Sequence, residues 1–410
     1  MAFGVKSGKQ LTTNDGIPYM WESYNTSGAT SVTTITSSDA ASGDQFGANI
    51  AIGTSKIVIG ATGDDDNGSS SGSVYVYNLD GTGEIKIDPS DGTADAAFGN
   101  SVDIDEKSGK IVVGSWRHDG SGSGASQSIG GHGRAYIYDL DGTNEVVLAP
   151  SELGGANSSA YGDKFGQRVR VHNNKVYVTA PYHGGNERGT LFVFDTDGTN
   201  KQLYTAPVEK TSAYFTAGFE IGSEKIVIGH DDGFNEKVHI FDTNMNFIKS
   251  FLVDDEMNTS GDRWLAVGSG RIVIGQNVDD DAGNNAGAVL IYNIDGTFIN
   301  KITSPRATAS GFFGYSVSVD CGKIFVGADE NENPSGGNFI YIYDLDGNYI
   351  SSINEGSSYP DLGVGTDWGQ LVYKHGKLAL GHSSTNEVLL YDCPPMYTPF
   401  DARDLEKGYK

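Results

Sequence analysis

The sequence predicts an all-β protein, a single seven-bladed β-propeller of four-stranded blades. Three observations predict it. A short apolar run led by a cation returns seven times along the 410 residues. A strand of alternating small and aromatic residues recurs with it. The strand count closes only if a segment near residue 31 supplies the one strand missing from the last unit. Composition agrees: 57 glycines, 21 tyrosines and 18 phenylalanines accompany β-branched runs and Asn/Asp/Ser clusters, which favours strands joined by many turns.

The recurring run is Lys56-Ile57-Val58-Ile59-Gly60-Ala61, and it begins again at Lys110, Lys175, Lys225, Arg271, Lys323 and Lys377. Successive copies lie 54, 65, 50, 46, 52 and 54 residues apart. A period near fifty filled with short strands is the signature of propeller blades. This run is strand B, and its consecutive apolar residues suit a strand covered on both faces. Strand A follows an aromatic, as in Phe46-Gly47, Phe98-Gly99, Phe165-Gly166, Phe313-Gly314 and Trp368-Gly369; units four and five are degenerate near Phe215 and Trp264. Strand C is Val74-Tyr75-Val76-Tyr77 and its later copies. Asp-Gly at 80–81, 141–142, 197–198, 295–296 and 346–347 joins C to D. It is read as a hairpin turn with positive φ at both residues.

Units one to six each have a strand D. Unit seven runs from Val388-Leu389-Leu390-Tyr391 into Cys393-Pro394-Pro395, and proline cannot donate to a ladder. Ser31-Val32-Thr33-Thr34-Ile35 is therefore expected to complete blade seven and remove the open edges. The expected organisation is an N-terminal extension over 1–28, a propeller over 29–392 and a C-terminal extension over 393–410.

Phe-Gly, then Lys-Ile-Val-Ile-Gly-Ala, a Gly/Asp loop and Gly-Ser-Val-Tyr-Val-Tyr resembles the FG-GAP repeat of integrin α-chain propellers and of many bacterial and phage proteins. Thr179-Ala180-Pro181 keeps the "AP" of the name. The resemblance covers about residues 29–392 and implies the fold far more sharply than any function. Integrin-type repeats often carry a DxDxDG calcium loop between strands A and B. Here those turns are short, as at Gly53-Thr54-Ser55, Asn173-Asn174, Gly222-Ser223-Glu224 and Ser269-Gly270. They offer too few carboxylates, so the family's calcium sites do not carry over.

The formal net charge of −25 repels phosphate backbones and argues against nucleic acid as a partner. No stretch is long and apolar enough for membrane insertion, and the first residues lack the apolar core of a signal peptide. The cysteines, Cys321 and Cys393, make no disulfide framework and no zinc spacing.

In an up-and-down blade the A–B and C–D turns share one face, which is trimmed here. The long B–C and D–A loops share the other, where recognition is expected. Candidate binding residues on that face are Asp64, Asp65, Asp66, Trp116, His118, Tyr161, Tyr182, His183, Asp279, Asp280 and Asp281. The aspartate triplets read as solvated turns, with weak Ca²⁺ binding as the alternative, and the aromatics as stacking surfaces for sugars or packing contacts. His230 and His382, at equivalent strand B ends, read as satisfied polar histidines, with a place facing the central channel as the alternative. The cations that open strand B read as surface pairs with the end of strand C, or as a ring for an acidic partner.

Among the histidines no HExxH or Gly-x-Ser-x-Gly context occurs, so no catalytic residue and no cofactor is assigned. The expected function is a non-enzymatic structural or adhesion module, anchored through 1–28 and 393–410 to protein partners in a multi-subunit assembly. A tailed-phage virion is the first expectation, because FG-GAP proteins occur there. The long-loop face would contact a host glycan or protein. Alternatives are a bacterial surface or secreted adhesin or lectin, and a glycan hydrolase or lyase on the same scaffold.

Overall fold

The computed structural model describes residues 32–118, 131–153, 162–184, 188–205, 218–231, 236–253, 265–306, 309–329, 338–354 and 370–392. The extensions 1–28 and 393–410, with Tyr161, Phe215, Trp264, Trp368 and Gly369, lie outside them. All regular structure among the described residues is strand, arranged as seven four-stranded antiparallel sheets. Blade one is typical, with A at Phe46–Ile52, B at Lys56–Ala61, C at Ser73–Asn78 and D at Ile85–Ile87. Phe46 lies within strand A rather than before it, set off from Asn49 by a bulge in the pairing.

Blade seven is built from Leu371–Lys374, Lys377–His382, Glu387–Asp392 and the N-terminal strand Val32–Ile35. That strand pairs antiparallel with strand C, Val32 opposite Tyr391 and Ile35 opposite Val388. Ile35 is buried against Phe46, Val388 and Leu390. The expected closure is the observed one, and it removes both open edges of the ring.

The blades hold together through the faces of their sheets. Val58, Val74 and Val76 of blade one pack against Phe98, Val102, Tyr136 and Tyr138 of blade two. The tyrosines that alternate with those valines, Tyr75 and Tyr77, face the other way, against blade seven. The aromatic of Phe-Gly sits beneath both strand C rings of its own blade. Phe46 meets Tyr75 at 5.4 Å and Tyr77 at 6.3 Å edge-on, and Phe98 meets Tyr136 and Tyr138 at 5.2 and 6.3 Å. Edge-to-face pairs of this kind add about 0.5–1.5 kcal/mol each to the burial of their rings.

The C–D connections differ from the expected two-residue turn. Asn78 accepts from Gly81 N and donates its own N–H to Thr82 O, which makes a three-residue loop. Only the glycine has positive φ, +80° at Gly81. Asp80 instead accepts from Thr82 N and Oγ1 at 3.0 and 2.6 Å. Asp-Gly therefore works as a side-chain acceptor followed by a left-handed residue.

On this trimmed face the first residue of strand B stands opposite the last residue of strand C. Lys110 reaches Asp139 and Lys377 reaches Asp392, both at 2.5 Å. Lys175 pairs with Asp195, Lys56 donates to Asn78 at 2.8 Å, and Arg271 bridges Asn293 and Asp346. Lys323 is buried. The chain enters at Val32 and leaves after Asp392 on this same face.

Candidate functional site

The A strands of all seven blades line a central channel with a volume of about 910 Å³. Its walls are polar and charged at mid-depth. Asp103, Arg170 and Glu220 occupy matching positions on the A strands of blades two, three and four. The Arg170 guanidinium grips Glu220 with two bonds, one from Nε at 3.0 Å, and Asp103 accepts from Val171 N at 2.8 Å. Burial opposes the charge on Arg170, but Glu220 outweighs it and holds the guanidinium pKa above its ordinary value.

On the long-loop face one position recurs three residues beyond strand B. It is Asp64, His118, His183 and Asp279 in blades one, two, three and five. In each case its carbonyl accepts from a glycine N–H later in the loop, at Gly72, Gly133, Gly189 and Gly287. The side chains of Asp64 and Asp279 are covered, whereas Asp65, Asp66, Asp280 and Asp281 are exposed on the turns. Lys86 on strand D holds Asp39, Asp64 and Asp66 at 2.7, 3.1 and 2.6 Å. Lys301 holds Asp279 and Asp281, both at 2.7 Å. The middle residues turn back on their own loops: Asp65 accepts from Ser70 N at 2.7 Å and Asp280 from Asn285 N at 2.6 Å.

Asp39, Asp64 and Asp66 are the group of ligand-type side chains close enough to share a cation among the described residues, and the Lys86 ammonium stands among them. Burial disfavours that charge, yet bonds to Asp39 and Asp66 outweigh it and raise the Lys86 pKa above its ordinary value.

The two histidines at the recurring position are structural in a different way. His118 is buried and its Nε2 lies 3.0 Å from Asp91 O. His183 Nδ1 lies 2.9 Å from one oxygen of Asp163, and His132 Nδ1 lies 3.0 Å from the other. Asp163 is fully buried, so one carboxylate ties together three separate loops of blades two and three. His230 and His382 are buried at the ends of strand B and do not line the channel. His230 lies tilted against His239, with ring centroids 5.5 Å apart, so the channel-facing reading of the two does not hold.

Trp116 and Tyr182 do come together, at the channel mouth. Lys164 lies between them, 4.9 Å from the Trp116 ring and 4.2 Å from Tyr182. Arg117 covers Trp116 at 4.6 Å. These ring faces carry cations, an arrangement closer to the packing contacts expected of these aromatics than to open stacking surfaces. Arg168 lines the same mouth with Thr62, Gln45 and Asn100. Sequence reasoning missed Arg117, which follows Trp116 directly, and Lys164 and Arg168, which are remote from Trp116 and Tyr182 in the chain. Asp279, Asp280 and Asp281 lie in blade five and are not part of this cluster.

The family described as FG-GAP repeat matches residues 29–77 and 82–138, the first two units. No curated protein matches. Among solved structures, the chain is similar to the β-propeller domain of the trilobed protease from Pyrococcus furiosus, which has an open velcro topology. The two are 12% identical with a TM-score of 0.47, over 85% of this chain and 91% of that one. The acylaminoacyl peptidase of Pyrococcus horikoshii is 11% identical with a TM-score of 0.45, over 81% of this chain. This chain spans about half of that peptidase, 48%. Matched FG-GAP repeats over residues 29–77 and 82–138, followed by further blades of the same four-stranded form around the ring, support the resemblance of this chain to FG-GAP repeat propellers.

Proposed function

We propose that the protein is a non-enzymatic contact propeller, held in a multi-subunit assembly by residues 1–28 and 393–410 and presenting its long-loop face to a partner. The observation that carries this reading is the division of labour between the faces. Val32 and Asp392, the first and last described residues, lie on the trimmed face, where strand B cations are matched by strand C acceptors. The opposite face carries the long loops and the channel mouth with its cation–aromatic cluster.

A virion is the assembly in view, since repeats of this family occur in phage proteins. A surface adhesin would use the same face. The test is incorporation. The full chain should co-purify with the native particle, and a chain lacking 1–28 and 393–410 should stay soluble with an unchanged melting temperature but fail to incorporate. Incorporation of the shortened chain would overturn the anchoring role. Cleavage of any ligand bound at the loop face would overturn the non-enzymatic reading.

A further inference from the structure

We propose that two copies of this chain pair through the outer edge of blade four, strand D against strand D. The proposal goes beyond the two faces described above and concerns the flank of the ring. Strand D of blade four is Phe247–Leu252, and it ends its sheet, with no strand beyond it among the described residues. The D strands of blades one and two have three residues each, and in blade five only Phe298 at the start of the strand is exposed. In blade four every residue of the strand except Phe251 is exposed. Phe247, Ile248 and Leu252 keep 53%, 48% and 52% of their surfaces. An edge strand turns N–H and C=O groups outward, and a long apolar edge is a template for another chain. Its one charge, Lys249, is drawn aside, with Nζ donating to Asp295 O of blade five at 3.1 Å.

Register identifies the occupant as a second copy. Lys249 and Phe251 face blade five, the first on Asp295 and the second on the Tyr292 ring at 4.7 Å. By the alternation of a strand, Ile248, Ser250 and Leu252 face the other way. Two copies related by a two-fold axis present the same patch to each other, so their edge strands run antiparallel and one residue stands opposite itself. With Ser250 at the axis, Ile248 of each copy meets Leu252 of the other, and Lys249 meets Phe251. With Lys249 at the axis, two ammonium groups would stand side by side, which is unfavourable. Phe247-Ile248-Lys249-Ser250-Phe251-Leu252 is therefore self-complementary about its serine.

Charge points the same way. No carboxylate occurs from Asn244 to Val253, in a chain with 53 acidic residues. Two bodies of net charge −25 repel wherever their acids face each other, so an acid-free edge is where copies can approach. A basic partner would be drawn to the acidic surface elsewhere. The side chains of Phe247, Ile248 and Leu252 with the strand backbone put roughly 500 Å² from each copy into the contact, about 1,000 Å² in all. That is the low end for a specific pair and gives a reversible dimer rather than an obligate one. Salt screens the repulsion between the two bodies, so the dimer tightens as salt rises.

Sedimentation equilibrium of the full chain tests this, over about 1–200 µM and at about 0.1 and 1 M NaCl. A dimer should form in the micromolar range and tighten at the higher salt. Ile248→Lys combined with Leu252→Lys should weaken it by about tenfold or more. The melting temperature should not move, since both side chains are half exposed. A second variant reads the register directly. In a chain carrying Cys321→Ser and Cys393→Ser, Ser250→Cys should form an intermolecular disulfide on oxidation, because opposite Cβ atoms lie about 4.5–5.5 Å apart. Lys249→Cys, out of register with its own copy, should not. A dimer that weakens as salt rises, a dimer untouched by the paired lysines, or a Ser250→Cys chain that does not crosslink would each overturn the proposal. So would a monomer at every concentration. Slow maleimide labelling of Ser250→Cys would then assign the edge to one of the chain's own extensions, and fast labelling would leave it bare. Incorporation into a larger assembly is read separately, so loss of the dimer leaves the anchoring role standing.

Discussion

Gly60 lies so close to Gly99 of the next blade that a Cβ on Gly60 would sit 2.2 Å from the Gly99 carbonyl oxygen. The same approach recurs from Gly114 to Gly166 at 2.0 Å, from Gly275 to Gly314 at 1.9 Å and from Gly381 to Gly47 at 1.9 Å. The glycine of strand B and the glycine of Phe-Gly are thus the two halves of one contact between blades. Unit three has Thr179 in place of the strand B glycine, and unit four, which follows it, has no Phe-Gly.

Gly60→Ala should therefore cost about 3 kcal/mol, the upper end for an added methyl, because the obstacle is backbone that cannot rotate away. Gly109→Ala, where nothing lies within 4 Å of the new Cβ but φ is +72°, should cost only about 1–2 kcal/mol. Urea denaturation of both variants checks the contrast, and equal losses would refute the blade contact.

Arg170 and Glu220 give a second test. Glu220→Ala leaves a guanidinium in the channel wall without its grip and should destabilise by about 3–5 kcal/mol. The double variant Arg170→Met with Glu220→Leu should recover much of that loss, since neither charge then remains. A double variant as weak as the sum of the singles would show that the pair is not coupled.

Lys86→Met should leave Asp39, Asp64 and Asp66 facing one another and lower stability by about 2–4 kcal/mol at pH 7. Millimolar Ca²⁺ should restore part of the loss in the variant by mass action, and a chelator should leave the melting temperature of the unaltered chain unchanged. Melting curves with and without chelator decide whether the ammonium fills the place of a metal.

His239 makes stability depend on pH. Burial first, then the nearby His230 and Lys237, depress its pKa to about 4 from the ordinary 6.5. The neutral ring is the form the fold keeps. Its contribution is complete above pH 6.5 and is lost as pH falls towards 4, by at most about 3 kcal/mol. His239→Phe should flatten the fall in melting temperature between pH 6.5 and 4, and an unchanged slope would assign the acid limb to other groups.

Closure can be tested by truncation. Removing residues 1–28 should not move the melting temperature. Removing 1–36 also takes away Ile35 and the ladder with Val388–Tyr391, and should cost about 3–5 kcal/mol.

The fold was legible because its determinants are local and repeated. Lys-led strand B, the strand C rings and the loop glycines each announce themselves within a few residues. The prolines after Cys393 located the missing strand. The site was less legible because its partners come from different loops. Nothing adjacent to Asp163 in the sequence says that it is buried between His132 and His183. His118, His183, Asp64 and Asp279 each lie eight residues after the cation that opens strand B, but the change of residue type between blades hides the shared position. One signal was present and unused: Lys86 follows Asp64, and Lys301 follows Asp279, by the same 22 residues. Ring cations such as Lys164 leave no such trace, since any lysine in a loop reads as a solvated charge.

The pairing of Val32 with Tyr391 also orders events during synthesis. Of the described strands the first to be made waits for the last, across a separation of 359 residues from Val32 to Tyr391. At about 5–20 residues per second this is roughly 20–70 s on the ribosome. For that time Val32-Thr33-Thr34-Ile35 has no ladder, and its short length and two threonines make it a poor nucleus for pairing with other nascent chains. Six blades can form in order as they emerge, and the seventh can form only once Glu387–Asp392 has been made. Ring closure therefore acts as a late checkpoint, and a chain that stops early carries an incomplete last blade.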